Sequence, residues 1–374
     1  MSEPPGERAR SLTGLEVLRV LACVVLVHRH FYVAAVGGML GTRFDSLEEL
    51  VAWGEPYRWW YDLTDFSTLV AIRVFFFLSA FGLTYSALGA DRTAWGPWFR
   101  RRLVRLYPSF LVAGLFLVAF DHGLALWQGR PLGDALLITW PQVLWNLLGG
   151  TFLAGVPPLS APWWFNGVIL SFYAIFPLLL WALRRSRWTL FLLGCALAQW
   201  ALFEGRELWP GFRGVFRSYG SDFVGCRLVE LSAGMVLGAA VRAFGAGVFD
   251  RLQRTPSLVL STLVASACVV PVVLGRGEWP QVLEPLRAIA VCACAYAWIL
   301  RLPTGWLRWL AQWSPLSLMV YLVHMDLVVA AGSRLGGHIA FYPLVFALLV
   351  PALWVVCAPL QALAGRLAAR LSGR

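Results

Sequence analysis

The chain has 374 residues, 59% of them hydrophobic and 14% charged, with a net charge of +11 and a mean hydropathy of +0.68. A soluble globular domain carries roughly 25% charged residues, so this composition excludes one and describes a polytopic membrane protein. The positive charge does not indicate nucleic acid, because the 31 basic residues, all Arg, fall between apolar runs and form no continuous patch.

A window of about 20 residues picks out ten apolar runs, near 14–36, 66–88, 106–127, 163–183, 188–204, 224–244, 257–275, 282–301, 310–333 and 340–363. The expected fold is an all-α integral membrane protein of about ten transmembrane helices. It forms one membrane domain over 14–363, with cytoplasmic tails at 1–13 and 364–374. The stretch 135–155 reads as interfacial. The first run is broken by Arg19 and by His28, Arg29 and His30, and no small-x-small site follows closely. It is therefore expected to remain as the first span and not to be cleaved as a leader. With the N-terminus inside, 18 arginines fall in segments on the cytoplasmic side and 8 outside. The positive-inside rule thus places both termini in the cytoplasm. Trp59, Trp60, Trp163, Trp164, Trp209 and Trp279 then fall near the outer interface, as an aromatic belt would.

Five arginines remain inside spans: Arg19, Arg29, Arg73, Arg227 and Arg287. Intramembrane charges face a polar cavity or a partner, so function is sought there. In LRVLACVVLVHRHF, Arg19 and His30 are eleven residues apart. They share one helical face within about 20° and are separated by roughly 16 Å in depth. His28 points elsewhere. One stripe thus offers an anion-binding group near the cytoplasmic mouth and a titratable imidazole deep inside. In RRLVRLYPSF, Arg102 and Arg105 are one turn apart and would form a two-pronged phosphate clamp on a helix. Arg73, in the inward-running second span, is expected at a depth comparable to that of His30.

Further along, Arg227 with Glu230 and Glu284 with Arg287 are spaced i, i+3, as internally neutralised pairs would be. In YLVHMDL, Tyr321 and His324 share a face while Asp326 is turned away by roughly 200°. A hydrogen bond to Tyr321 would account for His324, which ranks it below His30. The seven cysteines read as small buried hydrophobes. Cys292 and Cys294 cannot share a face as a metal pair would, and no metal is expected. No P-loop, dinucleotide fingerprint, HExxH or nucleophile elbow is present, which counts against ATP-driven transport and a soluble hydrolase.

Together the motifs resemble the acyltransferase-3 family of integral membrane O-acyltransferases. The first span matches the family's Arg and the His eleven residues on, at Arg19 and His30. FFFLSAFGL, Phe75 to Leu83, resembles F-F-x-L-S-G-F, and RRLVRLYP, Arg101 to Pro108, resembles R-R-x-x-R-[IL]-[YF]-P. RLVELSAGMVLG, Arg227 to Gly238, and YLVH, Tyr321 to His324, match later elements in the same order. One departure stands out: WFNGVILSFYAIFPLL has Ile169 and Leu170 where an acidic residue is expected, leaving Asn166 or Ser171 as polar substitutes.

The resemblance implies transfer of an acyl group, acetyl above all, from cytoplasmic acyl-CoA to a hydroxyl of a glycan or glycolipid acceptor at the cell membrane. It implies that Arg19, Arg102 and Arg105 bind the CoA phosphates and that His30 is the general base. Arg73 would stabilise the thioester oxyanion. Asn166, Arg227, Glu230, Tyr321 and His324 are structural or acceptor-site candidates. A covalent acyl-enzyme is the alternative chemistry. A secondary transporter or glycolipid flippase, or an inactive relative acting in assembly, would also place such groups in ten spans. No internal symmetry of the transporter kind is visible.

Overall fold

A computed structural model describes residues 5–40, 55–89, 94–136, 138–148, 157–208, 224–249, 254–274, 283–332, 334 and 341–373. Among them the chain is helical, with no strand. The α-helices are α1 (Pro5–Leu40), α2 (Glu55–Leu88), α3 (Trp95–Trp127), α4 (Trp140–Leu147), α5 (Trp164–Arg185), α6 (Trp188–Leu208), α7 (Leu228–Phe244), α8 (Thr255–Val273), α9 (Glu284–Ile299), α10 (Thr304–Ala311), α11 (Ser317–Gly332) and α12 (Tyr342–Ser372).

Each of the ten predicted spans coincides with a helix. Eight among the described residues are long and apolar enough to cross a membrane: α1, α2, α3, α5, α7, α8, α12, and the segment carrying α10 and α11. The other two are α6, whose apolar stretch is confined to Trp188–Leu202, and α9, with only 16 residues. The stretch around 135–155 holds no long helix in its described part. It contains α4, eight residues opened by a capping box in which Thr139 and Gln142 satisfy each other's backbone N–H groups. The predicted polar tails are helical where described: α1 begins at Pro5, and α12 continues to Ser372, where Gly373 closes it in the left-handed conformation (φ 74°). Trp209 and Trp279 lie outside the described residues.

The core forms where helices approach closely. α7 lies against α2, and the small residues of GMVLG allow it. A Cβ added at Gly234 would collide with the Phe77 carbonyl oxygen, and one at Gly238 would come within 2.7 Å of the Phe81 carbonyl oxygen. Both contacts join residues 157 positions apart, the same offset that joins Arg73 to Glu230. A constant offset means that α2 and α7 run in the same direction. α1 and α11 are parallel for the same reason: Cys23 with Ser317 and His30 with His324 share an offset of 294. α1 sits between α11 and α2, and α12 packs along α3.

Candidate active site

α1 is one continuous helix from Pro5 to Leu40, so Arg19 and His30 keep the common face that their spacing demands. His30 meets α11. Its Nδ1 lies 2.8 Å from Nε2 of His324, with ring centroids 5.0 Å apart and planes within 16°. Near-coplanar rings joined by a short N···N contact describe an in-plane hydrogen bond. His324 is completely buried, and its Nδ1 faces two helical carbonyls, Tyr321 O at 2.8 Å and Val320 O at 3.2 Å.

With both rings neutral, those contacts decide which nitrogen of each carries its hydrogen. Carbonyl oxygens only accept, so His324 carries its hydrogen on Nδ1 and presents a lone pair at Nε2. His30 must then donate from Nδ1. Its Nε2 is left with a lone pair, which is the protonation pattern of a general base held by an orienting partner. His324 thus has a larger place than its sequence reading gave it. The expected bond to Tyr321 is made through that residue's backbone carbonyl, while the Tyr321 hydroxyl donates to the carbonyl of Pro162 at 2.9 Å.

The residues before α5 are fastened to the same helix. Trp163, expected in an interfacial belt, is fully buried and donates from Nε1 to Leu322 O at 2.9 Å. Asn166, three residues on, is 2% exposed, and among the described residues neither its Nδ2 nor its Oδ1 has a hydrogen-bond partner. Ile169 is buried and Leu170 packs against the core, so the position of the expected acid is apolar in the fold as well.

Of the three arginines that the resemblance assigns to the donor, Arg19 and Arg102 both lie within electrostatic reach of the third. Arg105 on α3 acts electrostatically on both Arg19 and Arg102, and Tyr173 of α5 faces Arg102 and Arg105. Arg102 donates to Ser86 Oγ at 2.8 Å and stacks over Trp98, its guanidinium carbon 5.6 Å from the ring centroid. Arg105 is exposed. Among the described residues, no three His, Cys, Asp or Glu side chains gather as a metal site requires.

Arg73 belongs elsewhere. Its Nε lies 2.9 Å from Glu230 Oε1, and its Nη1 is 3.7 Å from Glu284 Oε2. Arg227 Nη1 also approaches Glu230 Oε1, at 3.7 Å, and Arg287 pairs with Glu284 while donating to Cys268 O at 2.8 Å. The pairs expected to neutralise themselves within a helix are therefore joined across α2, α7 and α9. The expectation that Arg73 shares the depth of His30 does not hold. Arg29, next to His30, pairs with Asp65 at 3.2 Å, and the eight residues from Asp65 to Arg73 carry the latter about 12 Å further along α2. Among the described residues the guanidinium nearest that depth is Arg29, 5% exposed and lying over Tyr61, with no hydrogen bond there to its Nη1. Its intramembrane position was a signal, but its neighbours were not readable from α1 alone.

Comparison with known proteins decides the family. The acyltransferase-3 model, described as an acyltransferase domain, matches residues 12–360. This chain belongs to that family. A relative within reach of the acyltransferase-3 match is the acyltransferase MdmB of Streptomyces mycarofaciens, 27% identical, over 89% of this chain and 82% of that protein. No solved structure matches. Membership in the acyltransferase-3 family makes the chain a multi-pass membrane acyltransferase. The His pair, Arg19, Arg102 and Arg105, and the ionic cluster lie within the matched residues.

Proposed function

We propose that this acyltransferase moves an acyl group, acetyl in the simplest case, from cytoplasmic acyl-CoA to a hydroxyl of a carbohydrate-containing acceptor, an envelope glycan or glycolipid, at the cell membrane. The observation that carries the proposal is the 2.8 Å contact of His30 Nδ1 with a His324 whose own Nδ1 faces a carbonyl, the arrangement from which the His30 tautomer follows. With Nε2 free, His30 takes the proton of the acceptor hydroxyl as its oxygen attacks the thioester carbonyl carbon. The C–S bond breaks, CoA leaves as thiolate, and the proton held on His30 returns to the sulfur. Throughout, His324 accepts from Nδ1 and stabilises the imidazolium that forms. Arg29, on the same turn, supplies the positive charge closest to the developing oxyanion. Arg73 is left out of the transfer step. Arg19, Arg102 and Arg105 bind the phosphates of the donor, and Asn166, whose amide is buried and unpartnered, contacts the acceptor.

Ten crossings with both termini cytoplasmic fit this assignment, and the helix directions support them. Because α2 and α7 run the same way, an odd number of crossings must separate them; α3, α5 and α6 supply three. Because α1 and α11 run the same way, an odd number must separate them as well, and the seven helices α2, α3, α5, α6, α7, α8 and α9 supply one. The short α9 spans about 24 Å, which a thinned bilayer or its buried packing accommodates.

The test is acetyl-CoA binding and CoA release by purified protein in lipid nanodiscs. The double variant Arg102→Ala, Arg105→Ala should lose binding, and His30→Ala should keep binding and lose turnover. No CoA binding by folded protein would overturn the proposal.

A further inference from the structure

One polar group beside Arg102 and Arg105 has no part in the transfer proposed above. α3 and α5 run in opposite directions, and their aromatic rings give the register. Trp98 stacks on Phe176, with centroids 5.2 Å apart and planes within 3°, and Phe110 lies 6.2 Å from Trp163. Counting along both helices from those contacts, Tyr173 falls within one turn of Arg102, and Ile169, a turn earlier, within one turn of Arg105. The electrostatics agree, since the charges of Arg102 and Arg105 both act on Tyr173.

Packing accounts for the ring of Tyr173 and not for its hydroxyl. The ring meets Trp98 edge to face, with centroids 6.0 Å apart. Phe176, three residues on, covers the same indole with a plain hydrocarbon ring. Among the described residues the Tyr173 hydroxyl makes no hydrogen bond; the residue is partly exposed, and its oxygen is not sealed off as the Asn166 amide is. The cations beside it are equally unfinished. Among the described residues neither Arg102 nor Arg105 is paired with a carboxylate. Arg102 donates to Ser86 Oγ, and the register brings the apolar, buried Ile169 to the level of Arg105. A phosphate satisfies all three groups at once, because it takes charge-assisted bonds from both guanidiniums and keeps lone pairs for an O–H donor.

We propose that Tyr173 is a donor-binding residue, its hydroxyl donating a hydrogen bond to the phosphate that Arg102 and Arg105 hold. The ligand class is a phosphorylated acyl thioester, and the inference rests on the transfer reading above, which supplies that donor. The arginines of α3 provide charge, and Tyr173 adds one directed bond from α5, so that a bound phosphate joins the two helices.

The experiment is equilibrium dialysis of acetyl-CoA against the full chain in nanodiscs, for the wild type and Tyr173→Phe, with thiol release and melting measured alongside. The substitution keeps the ring on Trp98 and removes an O–H that bonds to nothing in the protein, so melting should be that of the wild type. Affinity should fall roughly 10- to 100-fold, as for loss of a bond to a charged group. Turnover at saturating donor should change by less than about threefold, because the bond is made to bound donor and transition state alike. Inorganic pyrophosphate should displace acetyl-CoA from the wild type, and should do so more weakly in Tyr173→Phe by about the same factor. Unchanged acetyl-CoA affinity in the variant, with wild-type binding intact, overturns the role of Tyr173 and leaves the transfer reading standing. A lowered melting point, or weakened acetyl-CoA binding with pyrophosphate displacement unchanged or absent, assigns the hydroxyl to structure or to another part of the donor and overturns the phosphate contact. No acetyl-CoA binding by folded wild-type protein removes the transfer reading itself, and the inference with it.

Discussion

Replacing His324 with Ala removes the acceptor of the 2.8 Å bond from His30 Nδ1 and leaves a volume that the ring filled. Folding survives if the cavity is tolerated, so the informative quantity is turnover of folded protein. In the wild type, the His324 lone pair keeps the His30 hydrogen on Nδ1. Without it, that N–H is buried and unsatisfied, at a cost of about 1–3 kcal/mol, and His30 relaxes to the tautomer or rotamer that hides Nε2. The competent population, and the turnover rate with it, should fall by roughly 5- to 150-fold. His30→Ala deletes the base itself and should cost roughly 100- to 10,000-fold. Because the two histidines act as one unit, the double variant should match His30→Ala alone. The assay is thiol release from acyl-CoA by protein in nanodiscs, with donor binding measured in parallel. ¹⁵N spectra of labelled histidine check the tautomers independently, since both rings should carry hydrogen on Nδ1. Wild-type turnover in His324→Ala, or losses that multiply in the double variant, would refute the orienting role.

Other consequences concern the scaffold. Glu230→Ala strips Arg73 and Arg227 of their shared carboxylate and should cost about 3–5 kcal/mol, read as a large loss of melting temperature by size-exclusion chromatography; Glu230→Gln, which keeps the shape, should cost less. Gly238→Val must force α7 from the Phe81 carbonyl and should abolish folded protein, whereas Gly82→Ala, with open space around its position, should leave yield and melting unchanged. Tyr321→Phe removes the bond to Pro162 O and should lower stability by about 1 kcal/mol without altering donor binding.

Periodicity made the helices and the Arg19–His30 stripe legible, because both are properties of single segments. The partner of His30 was not, since nothing within α1 specifies which residue 294 positions away will oppose it. Arg73 shows the same boundary. Its position inside an apolar run marked it as important, but its depth depends on the α1–α2 pairing at Arg29 and Asp65, and its partner on the seating of α7 through Gly234 and Gly238. Glycine spacing in RLVELSAGMVLG was the available signal for that seating. Trp163 was misplaced for a related reason: an interfacial Trp and a buried one bonded to a neighbouring helix look alike in sequence.

The way His324 is anchored also bears on energy coupling. A chain of titratable groups across a bilayer can dissipate an ion gradient, and a pair of bonded imidazoles in mid-membrane is the usual component of such a wire. Here the wire is cut. His324 spends its Nδ1 hydrogen on carbonyls of its own helix, which cannot relay it onward. A proton gained at His30 returns by the way it came, and proteoliposomes containing the protein should hold a pH gradient as long as empty ones.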